Sequence, residues 1–262
     1  MAVHPVPQNT PNTGAKKKII AVASGKGGVG KTWFAISLSQ SLSRSGVRTL
    51  LFDGDLGLAN VDIQLGLMPE RDIGAVIAGK ATLAQAVVTY TDGAFDILAG
   101  RSGAGNLASL PLQRLTALRD GLTGLANQYD RVILDLSAGV DRTVQTLASA
   151  AGTNLVVTTD EPTALTDAYA FIKLNSAEHP GTDLRIIVNM AESRNSGQET
   201  YETLLKACRN FLGIEPPLAG IIRRDNKVRD SIRHQTPLLT RFPSSDAAKD
   251  IEAIAERLQR TP

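Results

Sequence analysis

Ile19-Ile20-Ala21-Val22-Ala23-Ser24-Gly25-Lys26-Gly27-Gly28-Val29-Gly30-Lys31-Thr32 is the stretch on which the reading of this chain turns. Its apolar first half lies between Lys16-Lys17-Lys18 and a glycine loop, and reads as a strand buried on both faces. Its second half satisfies G-x-x-x-x-G-K-[ST], with Gly25, Gly30, Lys31 and Thr32 at the fixed positions. Gly25, Gly27, Gly28 and Gly30 let consecutive backbone N–H groups turn inward around an anion without Cβ clashes. A helix starting near Thr32 aims its positive end at the same anion. Lys31 then reaches the β and γ oxygens of a nucleoside triphosphate, and the Thr32 hydroxyl serves Mg²⁺. The same glycines also fit G-x-G-x-x-G (Gly25, Gly27, Gly30), with Asp53 about twenty residues on, as in a dinucleotide site. That reading assigns no role to Lys31-Thr32 and leaves a later carboxylate, Asp135, unexplained.

Working outward, apolar runs recur at 49–52, 95–99, 132–136, 155–158, 184–188 and 218–222. Helical stripes lie between them: Ala35, Leu38 and Leu42; Leu165, Ala168, Tyr169 and Ile172; Ile251, Ile254, Ala255 and Leu258. Alternation over the whole length predicts one α/β P-loop domain over residues 17–262, with a mainly parallel central sheet and helices on both faces. Pro5, Pro7, Pro11 and Gly14 mark residues 1–16 as a disordered leader. A chain of 262 residues needs no disulfide staples for its core, and its single cysteine, Cys208, cannot form an internal one. A reducing cytoplasm fits that usage. With 28 Lys and Arg against 26 Asp and Glu, the net charge of +2 argues against a histone-like, whole-surface nucleic-acid binder. No zinc spacing is present among His4, His179, His234 and Cys208, and no apolar run approaches the ~20 residues of a spanning helix.

Two carboxylate segments complete the phosphate site. Asp53-Gly54-Asp55 follows the second strand, and residues two apart on an extended segment point to one side, here the sheet's C-terminal edge. Val132-Ile133-Leu134-Asp135 is an apolar strand ending in a carboxylate, the layout in which Asp135 holds Mg²⁺ through water. Ile186-Ile187-Val188-Asn189 ends another strand in an amide that can both donate to and accept from an adenine edge.

The second lysine of Lys26-Gly27-Gly28-Val29-Gly30-Lys31-Thr32 resembles the deviant Walker A motif of the MinD/ParA family of ATPases. The resemblance runs from about Lys17 to Leu258 and is strongest with the FlhG/FleN (YlxH) branch, the regulators of flagellar number and placement. Its marks are Asp55-Leu56-Gly57-Leu58-Ala59-Asn60-Val61-Asp62, Gly100-Arg101-Ser102-Gly103 and the segment from Asp160 to Tyr169. It implies a slow ATPase that uses ATP and Mg²⁺ and forms a homodimer on ATP binding. Lys26 would reach across that dimer to the partner's phosphates, in the manner of an arginine finger. Lys26, Lys31 and Asp55 would serve catalysis, Asp55 by placing the attacking water, with Asp53 behind it and Asn60 a switch residue. Thr32, Asp55 and Asp135 would serve the metal. The segment from Gly25 to Trp33, Val29 included, would line the nucleotide, with the Gly139 amide at the γ-phosphate and Asn189, Arg223 and Arg224 at the base.

Three positions depart from the family pattern: Trp33 replaces a small polar residue, Leu136 a threonine and Arg223 a proline. Trp33 either packs under the loop or shifts the helix start. A guanidinium at Arg223 can stack on the base.

On partners, the resemblance points to a flagellar regulator or an SRP-like FlhF GTPase, although no D-Q-A-type activating segment is read between Met1 and Ala15. The helix around Asp167 to Lys173 is a candidate partner face. No clear C-terminal membrane helix is read, because Lys249, Asp250, Glu252, Glu256 and Arg257 give the last helix a mixed-charge outer face. That helix is expected on the core, with transient contact at the membrane or cell pole left open. The alternative is a ParA-like positioner, in which Arg223, Arg224, Lys227, Arg229, Arg233 and Arg241 make weak, non-specific DNA contacts. A non-switch enzyme of the superfamily, such as an amidoligase or a nitrogenase-type reductase, is disfavoured: Cys208 alone cannot supply the usual two cluster ligands per subunit.

Overall fold

The computed structural model describes residues 13–100 and 110–260. Strand β1 (Ile19–Ser24) leads through the glycine loop into α2 (Lys31–Arg44), preceded by a short α1 (Thr13–Lys16). Then come β2 (Thr49–Gly54), α3 (Val61–Leu65), α4 (Ile73–Ile77), α5 (Leu83–Ala86), β3 (Val88–Tyr90), β4 (Phe95–Leu98) and α6 (Leu112–Leu125). The second half runs β5 (Arg131–Ala138), α7 (Arg142–Ala148), β6 (Thr153–Thr158), α8 (Pro162–Glu178), β7 (Asp183–Ala191), α9 (Arg194–Leu212) and β8 (Leu218–Arg223). It closes with α10 (Asn226–Arg233), α11 (Leu238–Arg241) and α12 (Asp246–Arg260).

The strands form one sheet in the order β3-β4-β2-β5-β1-β6-β7-β8, parallel throughout except for β3 on β4. The expected mainly parallel sheet is therefore present. β3 was not anticipated: two of its three residues are exposed, so it lacks the apolar run of the inner strands. Alternate residues of the apolar strands feed opposite cores. Ile19, Ala21, Leu50, Phe52, Val132 and Leu134 face α6 to α9, while Ile20, Val22, Leu51, Ile133 and Leu155 face α2 and α12. Successive strands spread leftward from β1 to β4 and rightward from β6 to β8, so the chain reverses direction around β1. Parallel α/β sheets bind ligands outside the strand C-termini at such a reversal, and the glycine loop emerges from β1 there.

The leader, expected to be disordered through residue 16, gives way earlier to α1, in which Ala15 is buried and which packs against α6. Residues 1–12, and residues 101–103 of the Gly100-Arg101-Ser102-Gly103 stretch, lie outside the described residues. At the other end, α12 buries Ile251, Ile254 and Leu258 against β8 and α2, as its stripe predicts. Among the described residues no helix is long and apolar enough to cross a membrane.

Candidate functional site

The cradle forms because its glycines allow what other residues do not. Gly30 takes φ 89°, in the left-handed region, and its absent Cβ would lie 2.4 Å from the Asn189 amide nitrogen. A Cβ on Gly25 would lie 2.0 Å from the Asp167 carbonyl oxygen, so the loop runs directly against α8. α2 opens at Lys31 with no side-chain cap, leaving its first N–H groups for an anion. Lys31 is 8% exposed; burial pulls its ammonium below the ordinary lysine value, while Asp135 and Asp55 push the other way. A desolvated cation aimed at a phosphate is electrostatically stronger than one in water.

Parallel pairing brings the carboxylates together. Asp53 on β2 is in register with Asp135 on β5, both essentially without exposure. Asp53 accepts from the backbone N–H of Asp55 (3.1 Å) and Val61 (3.3 Å), so it shapes the turn that carries Asp55. Burial, and secondarily Asp135, hold its carboxyl well above the usual range. Such a residue organises the loop rather than reaching a ribose, which removes the dinucleotide reading of Asp53. Asp55 is half-buried and accepts from the Leu58 N–H (3.0 Å), while Asn60 turns its amide to the Leu58 carbonyl (2.6 Å). Burial pushes Asp135 up to about 7, against the pull of a Thr32 hydrogen bond and of Lys31.

Asp135 Oδ1 is buried without a hydrogen-bond partner. An unsatisfied buried carboxylate oxygen is costly unless something cationic completes it. With Thr32 and Asp55 both near enough to act on the same carboxylate, this donor set fits Mg²⁺. Among the described residues no three His, Cys, Asp or Glu side chains form a cage. Mg²⁺ commonly takes one or two protein groups together with waters and phosphates.

Several predicted site residues have other partners in this structure. Lys26 is bound within its own subunit: its Nζ lies 2.5 Å from Glu161 Oε2 and 2.7 Å from Thr163 Oγ1, at the start of α8. The Gly139 N–H donates to the Ser24 carbonyl (2.9 Å), so meeting a phosphate requires that bond to exchange. Asn189 Nδ2 donates to the Val29 carbonyl (2.8 Å) and its Oδ1 accepts from the Met190 N–H (2.9 Å), so this amide braces the phosphate loop. Arg223, expected to stack on the base, instead forks onto Asp250 of α12 (Nε–Oδ2 2.9 Å, Nη2–Oδ1 3.0 Å) and reaches Asp246. In this structure the guanidinium is held by α12 rather than presented to a base. Arg224 stays exposed beside it. Trp33 leaves the helix start at Lys31 and is buried beside residues of α2, α3, α10 and α11. Its indole is part of the core, so any contact it makes with the nucleotide is through its backbone N–H in the first turn of α2. Leu136 is likewise buried.

Glu161, Thr163 and Arg194 escaped the sequence reading, and Asp250, read as part of the outer face of the last helix, is instead buried beneath Arg223 and Arg194. The signal available for Glu161 and Thr163 was their place in the Asp160 to Tyr169 segment; for the partners of Asp250 there was none, because ion pairs between distant segments leave no spacing.

A family model described as the CobQ/CobB/MinD/ParA nucleotide binding domain matches residues 20–238. The chain is similar to antiactivator FleN of Pseudomonas aeruginosa, with 36% identity over 245 residues that cover 94% of this chain and 87% of the relative. It is similar to the flagellum site-determining protein YlxH of Helicobacter pylori at 32% identity, covering 91% and 80%. Among solved structures, the septum site-determining protein MinD of Pyrococcus horikoshii OT3, complexed with Mg-ADP, shares the fold. Its TM-score is 0.78 at 24% identity, over 93% of this chain and 96% of that one.

Proposed function

Because this chain belongs to the CobQ/CobB/MinD/ParA family of nucleotide-binding domains, we propose that it is a Mg·ATP-dependent, dimerising ATPase switch that controls flagellar number or placement. The observation that carries the chemistry is the convergence on one loop of uncapped amides, buried Lys31, and Asp135 with its orphan oxygen. The flagellar assignment rests on the similarity to FleN and YlxH.

In this reading the loop amides and Lys31 bind the β and γ phosphates, and Thr32 and Asp135, with Asp55 nearby, would hold Mg²⁺. The ion, when bound, neutralises phosphate charge and polarises the transferring group. Asp55 gives up its bond from Leu58 to orient the attacking water. Lys26 leaves Glu161 and Thr163 for the phosphates of a second copy, so hydrolysis waits for the dimer. Partners then read the closed dimer, because only a ligand that prefers one state shifts the balance. The switch works in the cytoplasm, and a flagellar regulator or FlhF-like GTPase recruits it to the membrane or pole.

Light scattering with Mg²⁺ and a non-hydrolysable ATP analogue tests the switch. The wild type should pass from monomer to dimer, Lys31→Ala should stay monomeric, and Lys26→Ala should bind ATP yet turn over at least about tenfold more slowly. A wild-type chain that ignores the analogue overturns the reading. Flagella counted per cell in a strain lacking the gene, with rescue by wild type but not by Lys31→Ala, tests the cellular role.

The ParA-like alternative draws less support. Arg223 and Arg241 are held by Asp250 and Asp230, leaving Arg224, Lys227, Arg229 and Arg233 as the exposed cations of that segment. ATP-gated DNA binding that falls steeply with salt would favour it.

A further inference from the structure

Asp250 lies on α12 with its side chain fully buried, yet it belongs to none of the phosphate chemistry above. It is paired twice. The backbone N–H, Nε and Nη2 of Arg223 all donate to it (3.0, 2.9 and 3.0 Å), and Arg194 Nη2 lies 2.5 Å from its Oδ1. A buried carboxylate persists only when paired and saturated in this way. Arg194 is the first residue of α9, where a cation opposes the helix dipole, so its position there calls for a compensating anion.

What the carboxylate joins is informative. Arg223 opens the β8–α10 loop and Arg194 closes the β7–α9 loop. The two loops are stitched further by the Arg224 N–H on the Ala191 carbonyl (2.8 Å). Asn189, on β7 just before the β7–α9 loop, holds the phosphate loop through Val29. Asp135 and Asp55 stand on the β5 and β2 side of β1, so the metal end of a bound triphosphate lies there. The opposite end of the ligand must then extend over β6, β7 and β8, between these two loops.

We infer that Asp250, with Arg194 and Arg223, is the positioning clamp of the nucleoside pocket: it fixes from α12 the two loops that receive the base and sugar, whereas the triphosphate cradle is built on β1 and α2. The inference rests on the nucleotide-binding reading above, and it assigns to the last helix a role in ligand discrimination.

Calorimetry with Mg·ATP and with Mg²⁺ plus inorganic tripolyphosphate separates clamp from cradle. The wild type should bind ATP more tightly than tripolyphosphate. Asp250→Asn and the milder Arg194→Gln, whose side chain is 60% exposed, should lose about five- to thirtyfold in ATP affinity with tripolyphosphate unchanged. Arg194→Lys should recover part of the loss. If Asp250→Asn does not fold, Arg194→Gln decides. Folded variants that keep the wild-type ratio of the two affinities overturn the clamp. A wild type that binds neither ligand overturns the nucleotide reading itself, and the clamp with it.

Discussion

Lys26 Nζ and Glu161 Oε2 meet at 2.5 Å across 135 residues of sequence, and Thr163 adds a second acceptor at 2.7 Å. The lysine assigned to a partner's phosphates is thus engaged in its own subunit. The pair is partly exposed, with side chains 35% and 63% accessible, so it is a weak latch that dimer closure can exchange. Glu161→Gln should therefore tighten ATP-dependent dimerisation by about two- to fivefold, read by sedimentation. Weakened dimerisation would mean that Glu161 also serves the closed state.

Asp135 shows function and stability pulling apart. Its carboxylate is buried, has an oxygen without a partner and faces Asp53 across the strand pair. Asp135→Asn should raise the melting temperature of the nucleotide-free protein by about 2–4 °C, the effect of roughly 1 kcal/mol in a chain of this size. It should also abolish the Mg²⁺ dependence of nucleotide binding. Calorimetric melting and an Mg²⁺ titration at fixed nucleotide check the two arms, and a lower melting temperature would count against the electrostatic account.

Trp33 is the only tryptophan and is 5% exposed. Its emission should be blue-shifted in the native protein and shift to the red on unfolding. Trp33→Phe should leave ATP affinity within about twofold of wild type, since the indole packs in the core and a lost ligand contact costs more than that. A tenfold loss would return the side chain to the nucleotide site.

Cys208 is fully buried, and burial pushes its thiol up to about 11 from the ordinary 9.0. The folded state therefore keeps its proton where the unfolded state has lost it. Its contribution is intact below the unfolded value and declines as pH rises through the folded one. Labelling by a thiol reagent at pH 8 should follow the unfolding rate, and Cys208→Ser should remove part of the alkaline loss of stability. Rapid labelling of the native protein would contradict the burial.

The phosphate cradle was legible in the primary structure because its chemistry is local: nine consecutive residues supply the amides, the lysine and the hydroxyl. The strands were legible for a related reason, since strands buried on both faces must be apolar in every position. Asp55 and Asp135 could be named because each follows an apolar run, near the strand C-termini where a parallel sheet gathers its ligands.

Tertiary structure alone decided which charge met which. Asn189 turned to the phosphate loop, Arg223 to Asp250, and Lys26 to Glu161, each across a distance in sequence that no periodicity spans. Trp33 found its neighbours only once α3, α10 and α11 had packed around α2. A backbone cradle is written in the conformational freedom of adjacent residues, whereas the partner of a charged side chain is set by strand order and helix packing.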